Sequence, residues 1–380
     1  MRLETGRKII IVCLFLTSHF ANAQIQNDSL ENRIRPDSVK SRSLSLSIES
    51  FNFTRNYEYF NKFQDGYTLF GTQLEPQLIY YPNPKLMVTA GLNARKDFGD
   101  DGIYKTYSIF SIKYKQGEYA TFINGTLEGT LHHRYIEPLF DVERRITAPV
   151  EYGTQLIIDK PSYHIDAYLS WMQMIYKPSP RQEQVLGGLS GDFRLINSKK
   201  VNLSIPLQFT AFHQGGQIDT VSGPLQTLVN TAVGFKINFL MNGLVKNIRT
   251  ENYLISYKLL PKSIARIFTE GSGMYLNLAA DFKYGSLSTS YWNTNGFISP
   301  VGMPIYQSVS QQIDNVGYSE KKREIIVVRY AYQKKLFPNL YLDFRIEPLV
   351  DLQRAEKKKV EFSNSMFLVY RQEFLLKRVK

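Results

Sequence analysis

VNLSIPLQFTAF, residues 201 to 212, puts Val201, Leu203, Ile205, Leu207, Phe209 and Ala211 on one parity and Asn202, Ser204, Gln208 and Thr210 on the other. Successive side chains of a β-strand point to opposite faces, so this order predicts a long strand with one apolar and one polar face. LYLDFRIEPLVDL (340–352) repeats it, with Leu340, Leu342, Phe344, Ile346, Pro348, Val350 and Leu352 opposing Tyr341, Asp343, Arg345, Glu347 and Asp351. SLSLSI (43–48), YHIDAYLSW (163–171), VGFKINF (233–239) and YLNLAADFKY (275–284) alternate likewise. Strands of soluble domains run about five or six residues, whereas a tilted strand crossing a bilayer needs roughly 9 to 11. Most of these runs are of the longer kind.

The connections fall into two classes. Short turns are expected at PNPK (82–85), KQGE (115–118), DKPS (159–162), NSKK (197–200), LMNGLVKN (240–247), GS (285–286) and FPN (337–339). Longer stretches lie between them, near 54–66, 96–104, 130–149, 174–184, 212–226, 260–272, 292–323 and 353–358. Together they separate sixteen strands, with 14 to 18 the range the spacing allows, and leave both chain ends on the short-turn side. In hydrocarbon every backbone polar group must be paired, which an open sheet cannot achieve. The expected fold is therefore all-β, a closed antiparallel transmembrane β-barrel. A pair of soluble β-sandwiches would also alternate, but leaves strand length and the one-sided loops unexplained.

Arg2, Arg7 and Lys8 precede the apolar run IIIVCLFL, and Ala21-Asn22-Ala23 follows, so residues 1–23 read as a signal peptide cleaved before Gln24. The single cysteine, Cys13, lies within it, which excludes disulfides, cysteine–zinc sites and a cysteine nucleophile from the mature chain. No later stretch reaches the 18 apolar residues of a transmembrane helix. The net charge is +12, and loss of Arg2, Glu4, Arg7 and Lys8 leaves +10, which favours anionic partners. Residues 24–42 show no period and read as a flexible periplasmic segment, 43–376 as the barrel and 377–380 as a basic tail.

Parity assigns a set of charges to the lumen: Glu49, Glu75, Arg95, Lys113, Glu128, Glu151, Asp166, Asp192, Arg194, Lys236, Lys258, Asp281, Lys283, Arg329, Asp343, Arg345, Glu347, Glu361 and Arg371. IEPLFDVER (136–144), in a long connection, is echoed by IEPLVDLQR (346–354), mostly in a strand; LEPQL (74–78) repeats the Glu-Pro step. Proline cannot donate to a ladder, so each copy can mark a bend with an acid beside it. If the first copy folds inward, Glu137, Asp141 and Glu143 meet His132, His133, Arg134, Arg144 and Arg145, a pore constriction whose transverse field would select solutes by charge.

No nucleophilic serine, metal cluster or phosphate cradle is marked by spacing, and neither a cofactor nor a nucleic-acid partner is expected. His132 and His133, expected near the outer rim with Asp141 beside them, offer the parts of a rim esterase or protease, but catalysis is not the expectation. The signal, the alternating strands and the loop asymmetry together resemble a Gram-negative outer-membrane β-barrel of porin type over residues 43–376. Phe374 followed by LLKRVK departs from the terminal aromatic of that class. The resemblance implies an outer-membrane location, contact with membrane lipids, and a channel for small hydrophilic solutes, with the positive charge pointing to anions. A homo-oligomer fits the same reading. The alternative is a plugged barrel serving as scaffold in a secretion or assembly complex, its 292–323 segment docking the partner.

Overall fold

The computed structural model describes residues 27, 29–30, 32–261, 266–353 and 360–378. The segment 1–23, expected to be a signal peptide, lies outside the described residues. Sixteen strands follow in chain order: β1 (Ser43–Glu58), β2 (Thr68–Asn83), β3 (Leu86–Asp97), β4 (Lys105–Gln116), β5 (Ala120–Thr126), β6 (Tyr152–Asp159), β7 (Tyr163–Gln173) and β8 (Gln184–Asn197). Then come β9 (Val201–Gln214), β10 (Gln226–Leu240), β11 (Val245–Leu260), β12 (Glu270–Phe282), β13 (Gly285–Asn295), β14 (Lys322–Phe337), β15 (Leu340–Asp351) and β16 (Val360–Arg378). Each pairs antiparallel with its sequence neighbours, and β1 closes on β16. The cylinder has no free edge, so every strand finds ladder partners on both sides, as a wall in hydrocarbon requires.

The alternation read from the sequence is the alternation of the wall. On β9, Leu207 and Phe209 are exposed on the outside while Gln208 and Thr210 are buried inside. On β15, Ile346 is outside and Asp343, Arg345 and Glu347 are buried inside. β16 runs further than expected: Lys377 and Arg378 pair with Leu44 and Ser43, so only residues 379–380 of the expected tail lie beyond the strand, outside the described residues. The ladder has enough donors on β1 to carry the last strand on.

The interior is largely filled. Two long connections, 127–151 between β5 and β6 and 296–321 between β13 and β14, turn inward. Ile136, Leu139 and Phe140 from the first, and Phe297, Ile298, Val301, Met303, Ile305 and Tyr306 from the second, form one core with wall residues such as Tyr57, Leu186, Leu228, Tyr253, Trp292 and Ile325. The two connections also hydrogen-bond to one another, Asp141 N to Val301 O at 2.7 Å, Met303 N to Glu137 O at 3.0 Å and Ser299 Oγ to Leu139 O at 2.9 Å. Gly302 sits so close to Pro138 that a Cβ there would come 2.0 Å from its carbonyl oxygen. Of the 292–323 stretch, which the alternative reading offered as a docking segment, residues 297–306 are thus drawn in by their apolar side chains, while Ile313 and Val316 stay exposed.

The leading segment departs from expectation as well. At its described residues 27–42 it is not loose: Leu30 is buried against Phe51, Phe53, Ile146, Phe367 and Val369. Ser29 Oγ donates to Asp343, Asn27 accepts from Arg345, and Arg35 lies 3.0 Å from Glu128 and 2.5 Å from Asp159. Leu30 and Arg35 find, inside the barrel, apolar and acidic partners that the sequence does not place beside them.

Candidate functional site

Most residues expected to constrict a pore are spent on closing it. Arg329 of β14 donates Nε to Glu347 of β15 at 2.7 Å, and Nη2 to both Glu137 and the Tyr306 hydroxyl. Arg55 of β1 lies 3.6 Å from Glu347 and 3.9 Å from Glu143. Glu137 and Glu143 belong to the first copy of the repeated stretch and Glu347 to the second, so two guanidiniums join the copies. The β14–β15 ladder passes from Val327↔Leu349 to Tyr330↔Ile346, skipping Glu347-Pro348; the β2–β3 ladder skips Glu75-Pro76. Proline opens the ladder and the acid beside it faces inward. Arg145 pairs with Glu49, itself held by Arg371, and Tyr67 donates to Glu143. Arg144 lies over the Phe140 ring at 5.0 Å. These acids and bases are not opposed across a gap; they bind wall or packed ring.

His132 and His133 lie inside the barrel, not at its rim. His132 accepts from Arg33 at 3.0 Å. His133 is fully buried, with Nδ1 at 2.8 Å from Asp166 and Nε2 at 3.5 Å from Glu151, and stacks on Tyr168 with ring centroids 3.8 Å apart. Burial alone would depress its pKa, but Asp166 and Glu151 raise it to about 9, so the imidazolium persists at neutral pH. Lys113 and Arg35 likewise hold Glu128 well below the usual carboxylate range against its burial. A ring already protonated, sealed, and flanked by carboxylates cannot serve as a general base. Gln208 accepts from Ile136 N and donates to Arg134 O, fixing that backbone as well.

The remaining inward charges pair with one another: Arg95 with Asp97, Lys236 with Asp192 and Glu251, Asp281 with Arg249, and Arg345 with Asp343. Glu361 accepts from Asn61 and Glu75 from Asn93. Arg194 reaches Pro161 O at the short-turn end. Two residues expected inside are not: Lys283 is exposed in the turn after β12, and Lys258 is exposed on the outer face of β11, whose odd positions face inward. Parity fails for Lys283 because the strand has ended.

One hydroxyl–imidazole pair stands on the outer face. His213, the penultimate residue of β9, and Thr227, the second of β10, are cross-strand partners with Nδ1 and Oγ1 2.9 Å apart. Both lie at the long-loop end and on the outward parity. Their row continues through Val185 to exposed Trp171 on one side and to exposed Leu260 on the other. Directly beneath runs the row Leu169, Gly187, Ala211 and Val229. Gly187 and Ala211 leave a shallow apolar furrow, since a Cβ on Gly187 would meet nothing nearer than 3.7 Å. The sequence carries a signal for this pair that the spacing of histidines does not: extending the 201–212 alternation by one residue puts a histidine on the apolar parity.

A closed sixteen-stranded wall, apolar outside and charged inside, with short turns at one end and long connections at the other, defines a Gram-negative outer-membrane β-barrel. Residues 34–379 match the lipid A 3′-O-deacylase-type family, and the chain belongs to that family. No curated protein matches it by sequence. Among solved structures it is similar to the outer membrane protein OprD from Pseudomonas aeruginosa (TM-score 0.51, 11% identity, 90% of this chain and 99% of that one). OmpT of Vibrio cholerae, in a trimer form, is similar too (TM-score 0.50, 9% identity, 87% and 100%). At such identities the likeness is one of fold. The family match overturns the expectation that the chain is not an enzyme, because the family is named for a deacylase.

Proposed function

We propose that this protein hydrolyses an ester-linked acyl chain of an outer-leaflet lipid, of the lipid A class for which its family is named. The observation that carries the reading is the family match across residues 34–379. The position of the His213–Thr227 pair supports it, because an acyl ester in the outer leaflet reaches the long-loop end of the outer wall and not the packed interior. In this reading Thr227 Oγ1 accepts from Nδ1 of His213, which leaves Nε2 as the base. Nε2 takes a proton from water as the water oxygen attacks the ester carbonyl carbon. The carbonyl carbon–alkoxy oxygen bond then breaks, and the imidazolium returns the proton to the leaving alkoxide, giving a fatty acid and a free hydroxyl. The furrow at Gly187 and Ala211 receives the acyl chain.

Purified protein incubated with lipid A in detergent and followed by mass spectrometry tests this. The wild type is expected to remove one acyl chain. His213→Gln is expected to lower the rate by roughly 10²-fold or more, the usual worth of a positioned base. Absence of any fatty-acid release by the wild type, or undiminished release by His213→Gln, would refute the proposal.

A second reading, a channel for small hydrophilic solutes, has one feature in its favour. A hollow of about 100 Å³ against the 127–151 connection is lined by Glu49, Glu75, Glu128, Lys113 and Arg145. It requires the 127–151 and 296–321 connections to leave the barrel.

A further inference from the structure

Among the described residues, exposed lysines with few exposed carboxylates beside them ring the short-turn end. Each of the seven short turns has a lysine within it or within three residues of it, among them Lys85, Lys160, Lys200, Lys246, Lys283 and Lys335, all exposed. Among the described residues of these turns Glu118 is the exposed carboxylate, while Asp159 and Glu373 near the same rim are taken by Arg35 and Lys40. The opposite rim is mixed: Asp100, Asp101, Glu270 and Asp314 are exposed there alongside Lys62, Lys105, Lys177, Arg181, Lys321 and Lys322. At the short-turn end the exposed positive charge therefore forms a collar with little acidic charge to offset it, while lumen charges are paired.

The collar sits at the edge of the apolar band. Exposed Phe193 and Ile196 precede Lys199 and Lys200, and exposed Phe282 precedes Lys283. Lys160 and Lys283 lie over the rings of Tyr163 and Tyr284 at 5.3 and 5.1 Å. Tyrosine at a bilayer interface marks headgroup depth, and a compact ammonium beside it meets a phosphate at that level. We infer that the short-turn rim binds the phosphodiester headgroups of anionic phospholipids in the periplasmic leaflet, one or more per turn around the barrel. Two features favour lipid over a periplasmic macromolecule. The charges are distributed around the whole circumference, where annular lipid lies, and two of them are pinned to interfacial tyrosines.

Full-length protein reconstituted in vesicles of equal parts phosphatidylglycerol and phosphatidylcholine, then extracted gently, would have its retained lipid analysed. The wild type is expected to retain phosphatidylglycerol over phosphatidylcholine several-fold, and high salt to erase the preference. K199E/K200E/K334E/K335E, all exposed positions, is expected to lose it, while K62E/K105E/K177E at the other rim keeps it. Barrel integrity in each variant is read independently from heat-modifiable gel migration. Equal retention of the two lipids by the wild type overturns the inference, as does a preference that survives in the folded quadruple variant. So does a quadruple variant that loses sedimentation with peptidoglycan while its lipid ratio is unchanged.

Discussion

Arg329 holds four partners from four parts of the chain, Glu137, Tyr275, Tyr306 and Glu347, and the cost of losing it is predictable. With the guanidinium gone, Glu137 and Glu347 are left as buried, poorly compensated carboxylates, a situation worth about 3–5 kcal/mol. Arg329→Met is therefore expected to lower resistance to urea by that amount and to open the 127–151 connection to protease; Glu137→Gln in the same background should recover part of it. His133 makes a prediction in pH. Its folded pKa is raised from 6.5 to about 9, so the stability it contributes is complete below about pH 6.5 and disappears as pH rises through about 9. The contribution is on the order of 3 kcal/mol. Thermal unfolding of the wild type should weaken across that window, and His133→Gln should flatten the dependence; an unchanged slope would contradict the ion-paired assignment. Inward parity was legible in the sequence for residues such as Asp343, Arg345 and Lys236, because a strand fixes it. Their partners were not, since Glu137 and Arg329 lie 192 positions apart and only the closed wall brings them together.

The strands and turns follow from local rules, and the sequence carries them almost complete: alternation places β9 and β15, and Pro or Gly clusters place the short turns. The long connections obey no such rule. Nothing local distinguishes a polar loop that extends from one that folds back, and 296–308 folds back because Ile305 is buried in the core and Phe297 and Tyr306 bury against Trp292 and Tyr275 in edge-to-face contacts at 5.2–5.8 Å. Gly302 tests the docking of the two connections. Gly302→Val forces a branched side chain against the Pro138 carbonyl and is expected to cost about 1–3 kcal/mol, read as increased hydrogen exchange in 136–141 and 297–306. Unaltered exchange would show that the two segments are held independently. At the outer wall, Gly187→Leu fills the furrow beneath His213 and is expected to raise KM for lipid with little change in kcat, because it obstructs acyl binding and leaves the base in place.

At the scale of the molecule, a barrel of sixteen strands is wide enough for an aqueous channel, and the size alone suggests one. What decides otherwise is the filling: two connections and the leading segment occupy the cylinder and neutralise its charges. The proposed chemistry then belongs to the outside, at a rim pair that an inventory of histidine spacing passes over. The filled interior is the claim on which the rest depends, and steady conductance of the purified protein in a planar bilayer tests it most directly. The account predicts no persistent current for the wild type, with stepwise current appearing only when Arg329→Met frees the interior. Stable, large, voltage-independent steps from the unaltered protein would contradict it.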